Sequence, residues 1–204
     1  MASQLGEVID LIKYCRLAYE RGLVSGQGGN ASVRIPGSNR VYVKSTNTSM
    51  GEVNEENLVT VNLQGKKLEG KVDEEPSKEI PFHLAIYRTR DDANSVFHLH
   101  PPCATAFAAC SAEIPLLTVS AQIKLKKVPL VSFARPGSSE LANLVSSEIS
   151  KHGKSLNSLL LEKHGIVTWG KNVADAFYTA ELLEETAKIA LNARLLGRQS
   201  TRVC

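Results

Sequence analysis

Strand-like and helix-like patterns follow one another along this chain of 204 residues without the regular strand-helix-strand alternation that builds a parallel sheet. That order predicts a mixed, largely antiparallel sheet sandwiched between helices. Leu5, Ile9, Ile12, Cys15 and Tyr19 keep the i, i+3, i+4 rhythm of an amphipathic helix, which Gly22 stops. Beyond "SGQGGN", the runs "ASVRI" and "RVYVK" read as strands joined through Pro36 and Gly37, and "LVTVNL" and "KKLEG" as a hairpin around Gly65. A helix is expected from Ser77, with Pro81 in its first turn. "SVFHLH", "IPLLTVS" and "VPLVSFA" read as strands, with a short helix "CATAFAAC" after the first of them. "SSELANLVSSEISKH" reads as a helix, "SLLLEKHGIVTWG" as a strand pair, and "NVADAFYTAELLEETAKIALNARLLG" as a long closing helix.

The length suits one well-buried core, so residues 1–204 are read as a single domain. With 43% hydrophobic and 22% charged residues, the composition is that of a folded globular chain rather than a disordered one. No apolar run approaches the ~18 residues of a membrane span, and "MASQLGEVIDLIKYCRL" carries acids where a signal peptide needs none, so a cytoplasmic protein is expected. Cys15, Cys103, Cys110 and Cys204 form no C-x-x-C pair, which suits a reducing compartment; Cys103 and Cys110 read as core residues on a helix. A net charge of +3 with 5% aromatics argues against a nucleic-acid partner, and the densest basic cluster, "KLKK" at 124–127, reads as solvated surface.

The chemistry is concentrated in "SVFHLHPP". Only five histidines are present, yet two of them lie one residue apart at the end of an apolar run. A strand repeats every two residues, so His98 and His100 share a face while Phe97 and Leu99 take the other. Pro101 and Pro102 lack the N–H that a ladder needs and end the strand there. Two imidazoles at a strand end suggest a divalent metal site, which requires a third protein ligand. His152 precedes Gly153 at a helix end, where capping explains it. His83, beside Phe82 and Ile86, suits a partly buried structural role. His164 sits between the strand-like "LLLE" and "IVTW", with Gly165 permitting a sharp turn, and no cap needs it. His98, His100 and His164 are therefore the expected ligand set, the alternative being a purely structural role for all three.

"GQGGNASVR", "PSKEIPFHLAIYR", "ANSVFHLHPPCATAFA" and "EKHGIVTWGKNVADAFYTAELLEETAKIA" together resemble, in order and spacing, the class II aldolase/adducin family. The resemblance implies a three-layer α/β/α fold with a mainly antiparallel nine-stranded sheet. It also implies a homotetramer with interfacial active sites, and a divalent cation, zinc or another such as Mn2+ or Co2+, on His98, His100 and His164. It casts Glu79 as the catalytic acid/base; on physical grounds alone a first-turn acid stabilising its helix is the favoured reading, which the resemblance reverses. Gly28, Gly29 and Asn30 match the family's phosphate loop, where successive N–H groups form an anion nest. Thr46, Asn47, Ser77 and Lys78 fall at further substrate-phosphate positions.

The implied activity is metal-dependent carbon-carbon cleavage of a phosphorylated sugar or sugar acid, through an enediolate steadied by the cation. Retro-aldol cleavage is the main reading. Asn47 replaces a usual glycine, and Lys78 replaces a usual serine in a "PSKE" run that resembles the 3-oxo-tetronate-phosphate decarboxylase branch. Val119 stands on "IPLLTVS" where aldolases tend to carry a proton-donating tyrosine, and the C-terminal "GRQSTRVC" is short and has no aromatic. Decarboxylase, epimerase and dehydratase activities on the same scaffold are the alternatives. A metal-free, adducin-like scaffold is the non-enzymatic one.

Overall fold

The computed structural model describes residues 2–197. Cys204 and the C-terminal run after Gly197 lie outside the described residues. Six helices and eight strands alternate irregularly: α1 Ala2–Glu20, β1 Asn30–Arg34, β2 Val41–Lys44, β3 Leu58–Val61, β4 Lys67–Glu69, α2 Ile80–Thr89, β5 Ser95–Leu99, α3 Pro102–Ala109, α4 Val119–Lys124, β6 Leu130–Val131, α5 Ser139–His152, β7 Ser158–Leu161, β8 Gly165–Gly170 and α6 Val173–Leu195. The strands form one sheet in the order β4-β3-β2-β1-β5-β8-β7-β6. Every pairing is antiparallel except β6 with β7.

Helices cover both faces, giving three layers. Phe97, Leu99, Ile166 and Ala31 pack against α1, α3, α4 and α6 through Leu11, Phe107, Ala121 and Phe177. Val41, Val43, Val96, Val167 and Trp169 pack on the opposite face with Phe82, Ile86, Val145 and Ile149 of α2 and α5. Period-two alternation of buried side chains thus serves two cores at once, which is why β5 and β8 are buried at every position.

Four expectations are corrected. The sheet has eight strands rather than nine among the described residues. "IPLLTVS" is not a strand: Pro115 removes a donor, and the Thr118 hydroxyl accepts from the Ala121 N–H to start α4, leaving Val119 71% exposed on that helix. Of "VPLVSFA" only Leu130–Val131 joins the sheet, because the Phe133 N–H is taken by the Glu162 carboxylate at 2.8 Å and leads the chain away. Finally, α2 begins at Ile80 rather than Ser77, since the Ser77 N–H donates to the Lys44 carbonyl at 3.1 Å and ties this segment to the end of β2.

Smaller corrections concern single side chains. Cys103 is half-buried and Cys110 exposed, so neither is a core residue. His83 is wholly buried, its Nδ1 2.8 Å from the Ser32 hydroxyl, and its pKa is pushed down to about 3 by burial and then by His98. The three lysines of "KLKK" are exposed, as expected, and the Lys124 ammonium pairs with Asp175 at 2.7 Å.

Candidate active site

β5 and β8 run antiparallel with Leu99 opposite Ile166, so the C-terminal end of one and the N-terminal end of the other meet at the same edge. There His98, His100 and His164 converge. Each offers one nitrogen to a group whose members lie within 4.8 Å of one another. The Nε2 atoms of His98 and His100 are 2.9 Å apart.

The turn that carries His164 is built differently from expectation. Lys163 takes the left-handed conformation at φ 57°, and Gly165 is needed for another reason. A Cβ on Gly165 would lie 2.4 Å from the Leu99 carbonyl oxygen and 2.7 Å from His100 Cδ2. The missing side chain lets β8 approach the histidine strand closely. Gly29 acts similarly from the other flank: it has φ 67°, and a Cβ would stand 3.0 Å from the His98 carbonyl oxygen.

Glu79 occupies the N-cap position of α2 with φ −93° and ψ 3° and makes no side-chain cap hydrogen bond. It is therefore not a first-turn acid serving its own helix. Its Oε2 accepts from the Asn30 amide at 3.0 Å and lies 3.1 Å from His98 Nε2; Oε1 lies 3.3 Å from His164 Nε2 without a hydrogen bond to it. Burial pushes the carboxyl pKa up, but His98, His164 and Asn30 outweigh it and hold Glu79 below the usual carboxylate range. His100 is held down at about 3 and His164 at about 4, in both cases by burial first and the neighbouring imidazoles second.

These groups fit a divalent cation. His98 Nδ1 is 2.8 Å from the Ile166 carbonyl, which places the ring proton there and turns the Nε2 lone pair inward. Imidazole lone pairs turned toward one another and toward a carboxylate repel unless positive charge lies between them. Tetrahedral bonds of ~2.0–2.1 Å would separate ligand nitrogens by about 3.4 Å, within the spread seen here. Glu79 Oε1 and His164 Nδ1 are buried without hydrogen-bond partners, which costs ~1–3 kcal/mol per group until something pairs with them.

A cavity of about 260 Å³ opens beside the histidines. Its lining brings together Gly28, Gly29, Asn30, Thr46, Asn47, Ser77 and Lys78 with Glu79 and His100. Asn47 sits at φ 61°, a backbone that asparagine tolerates better than most residues, which accounts for its standing in a glycine's place. The anion nest is less complete than the sequence suggests. The Gly28 N–H already donates to the Ser25 carbonyl at 3.1 Å, and the Asn30 amide is used on Glu79.

Lys44 was missed by the sequence reading. Its side chain lies on the face of β2 opposite to Val41 and Val43, is 2% exposed and lines the same cavity, with its pKa lowered by burial. A lysine at the polar position of an alternating strand gave no signal of this burial.

Comparison with known proteins agrees with this architecture. Residues 9–191 match the family described as "Class II Aldolase and Adducin N-terminal domain". The chain is 38% identical to an L-fuculose phosphate aldolase of Methanococcus maripaludis strain C7 over 90% of its length and 95% of that protein's. It is 34% identical to a 3-oxo-tetronate 4-phosphate decarboxylase of Haemophilus influenzae over 88% of its length and 84% of that protein's. A solved structure of an L-fuculose 1-phosphate aldolase superposes with a TM-score of 0.88 at 29% identity, covering 98% of this chain and 91% of that one. With nearly its whole length accounted for, the chain belongs to the class II aldolase/adducin family.

Proposed function

We propose that this chain is a single-domain, divalent-metal-dependent lyase that cleaves a carbon-carbon bond in a small phosphorylated sugar by retro-aldol reaction. The observation that carries the reading is the convergence of three imidazole nitrogens, two of them against the two oxygens of the half-buried Glu79 carboxylate, beside a cavity suited to a phosphorylated substrate. The similarity to L-fuculose phosphate aldolases supports the substrate class. His98, His100 and His164 would hold the cation, for which zinc suits an all-imidazole set. When bound, it supplies Lewis-acid polarisation of a carbonyl oxygen.

Glu79, ionised in the folded state, accepts the proton of the substrate hydroxyl as the adjacent carbon-carbon bond breaks. An aldehyde fragment departs, and the bond's electron pair stays with the phosphorylated carbonyl fragment. The same carboxyl then returns the proton to carbon. Asn30 fixes Glu79 Oε2, which leaves Oε1 for this transfer. Gly28, Gly29, Thr46, Asn47, Ser77 and Lys78 hold the phosphate, and Lys44 adds charge from beneath. Anchoring a remote group in this way positions the reacting carbons.

Lys78 favours a second reading. An exposed ammonium beside the cavity suits an acidic substrate, and on α4 Val119 offers no hydroxyl, so decarboxylation of a 3-oxo acid phosphate uses the same residues with carbon dioxide leaving. The exposed Leu117, Val119, Ile123 and Phe133 support self-association into the family's homotetramer, and the unpaired Cys15, Cys103 and Cys110 suit the cytoplasm. The deciding assay supplies L-fuculose phosphate or 3-oxo-tetronate 4-phosphate with zinc and follows aldehyde and carbon dioxide. Aldehyde from the first substrate is expected. Release of carbon dioxide alone selects the second reading, and turnover of neither rejects both.

A further inference from the structure

The other end of the same two strands carries a second polar cavity, of about 340 Å³. Ser95 of β5 pairs with Gly170 of β8 there, four residues from the Leu99–Ile166 pair at the histidine end, or about 14 Å at ~3.4 Å per residue. Its wall contains Arg90, Lys124, Lys126, Lys154 and Lys171 against two carboxylates, Asp92 and Asp175. Three of these five cations are already paired, Lys154 with Asp91 at 3.2 Å and the other two as follows. Asp92 takes Arg90 Nε at 2.7 Å and Nη2 at 2.8 Å, and Asp175 takes Lys124. Arg90 also donates to the Gly153 and Leu156 carbonyls, so it frames the cavity rather than remaining free. Lys126 and Lys171 line the cavity with no ion pair among the described residues.

A second observation is independent of charge. Trp169 lines this cavity, is 2% exposed, and its indole Nε1–H has no acceptor among the described residues. Its backbone N–H is satisfied by the Asn157 carbonyl at 3.0 Å, so the indole hydrogen is the donor left over. A buried donor without an acceptor is uncommon in folded proteins and calls for an explanation. An anionic oxygen in the cavity would meet the uncompensated Lys126 and Lys171. The volume exceeds the ~30 Å³ share of one water many times over and accommodates a phosphate with an attached small group.

We infer that the cavity bounded by Trp169, Lys126 and Lys171 is an anion site for a phosphate-bearing small molecule, separate from the proposed active site. Trp169 is the chain's single tryptophan, so its emission reports on this cavity directly. Inorganic phosphate titrated into the full chain, with ionic strength held constant by potassium chloride, should change Trp169 emission saturably. Replacing Lys126→Asn together with Lys171→Gln should weaken that binding about tenfold or more; asparagine suits the φ of 58° at position 126. Lys78→Glu, in the other cavity, should leave the response and its midpoint unchanged. Circular dichroism matching the parent chain qualifies each variant. Lys171→Gln alone, at an exposed side chain, serves as the charge-removing variant if the double change does not fold. Absence of a saturable response, an unchanged midpoint after the lysines are removed, or loss of the response in Lys78→Glu would each overturn the inference.

Discussion

Gly165 shows how one absent side chain determines the candidate site. Because its Cβ would overlap the Leu99 carbonyl and His100, Gly165→Ala should force β8 from β5 and displace the His100 ring. A loss of ~1–3 kcal/mol of stability is expected from such overpacking, with reduced zinc occupancy on elemental analysis; full occupancy at parent stability would contradict this. Glu79→Gln keeps the carboxylate's shape but not the charge. It should retain the metal and lower turnover by ~10²-fold or more in a steady-state assay. His98→Ala, by contrast, should abolish both. Residue roles were unevenly legible. The H-x-H before two prolines announced itself because strand period and proline chemistry are local. Asn30's commitment to Glu79, 49 positions away, and Lys44's burial depend on contacts between distant segments.

Among the elements, α5 was readable at both ends. The Ser138 hydroxyl accepts from the Leu141 N–H at 3.1 Å, and Gly153 with φ 58° closes the helix. Ser138→Ala should cost about 1 kcal/mol, a fall in Tm of about 2–4 °C for a chain of this size, measured by thermal melting; no fall would mean that Ser138 is not the cap. The segments that misled are those whose partners are not local. Residues 114–120 have strand-like apolar content, yet they pair with no strand of the sheet and Thr118 caps a helix instead. α3 gains a cap from outside itself: Glu184 of α6 accepts from the Cys103 and Ala104 N–H groups at 3.0 and 2.8 Å. A carboxylate 80 residues downstream gives no sign of that role in the local sequence.

At the scale of the whole molecule, the histidine cluster makes stability depend on pH. His100 and His164 are lowered from 6.5 to about 3 and about 4, so the unfolded chain binds protons that the folded chain resists. Stability therefore falls as pH drops below 6.5 toward those folded values. Glu79 is lowered from 4.5, so its contribution is complete above 4.5 and is lost as pH falls further through its folded value. The signs agree: the metal-free protein should melt at progressively lower temperature from pH 7 to pH 4, and zinc should raise Tm most at the upper end, where protons do not compete for the ligands. A Tm independent of pH across that window would refute the burial of these groups.

By itself the sequence determined the layered class of fold, the helices with their own caps and stops, and the three histidines, since each rests on periodicity or on residue chemistry expressed within a few positions. Tertiary structure alone decided that Glu79 leaves its helix to meet those histidines, that Lys44 lies beneath the cavity, and that unpaired lysines gather around the indole of Trp169. The physical reason is that burial and the pairing of charges are set by which distant segments a fold brings to the same edge of a sheet.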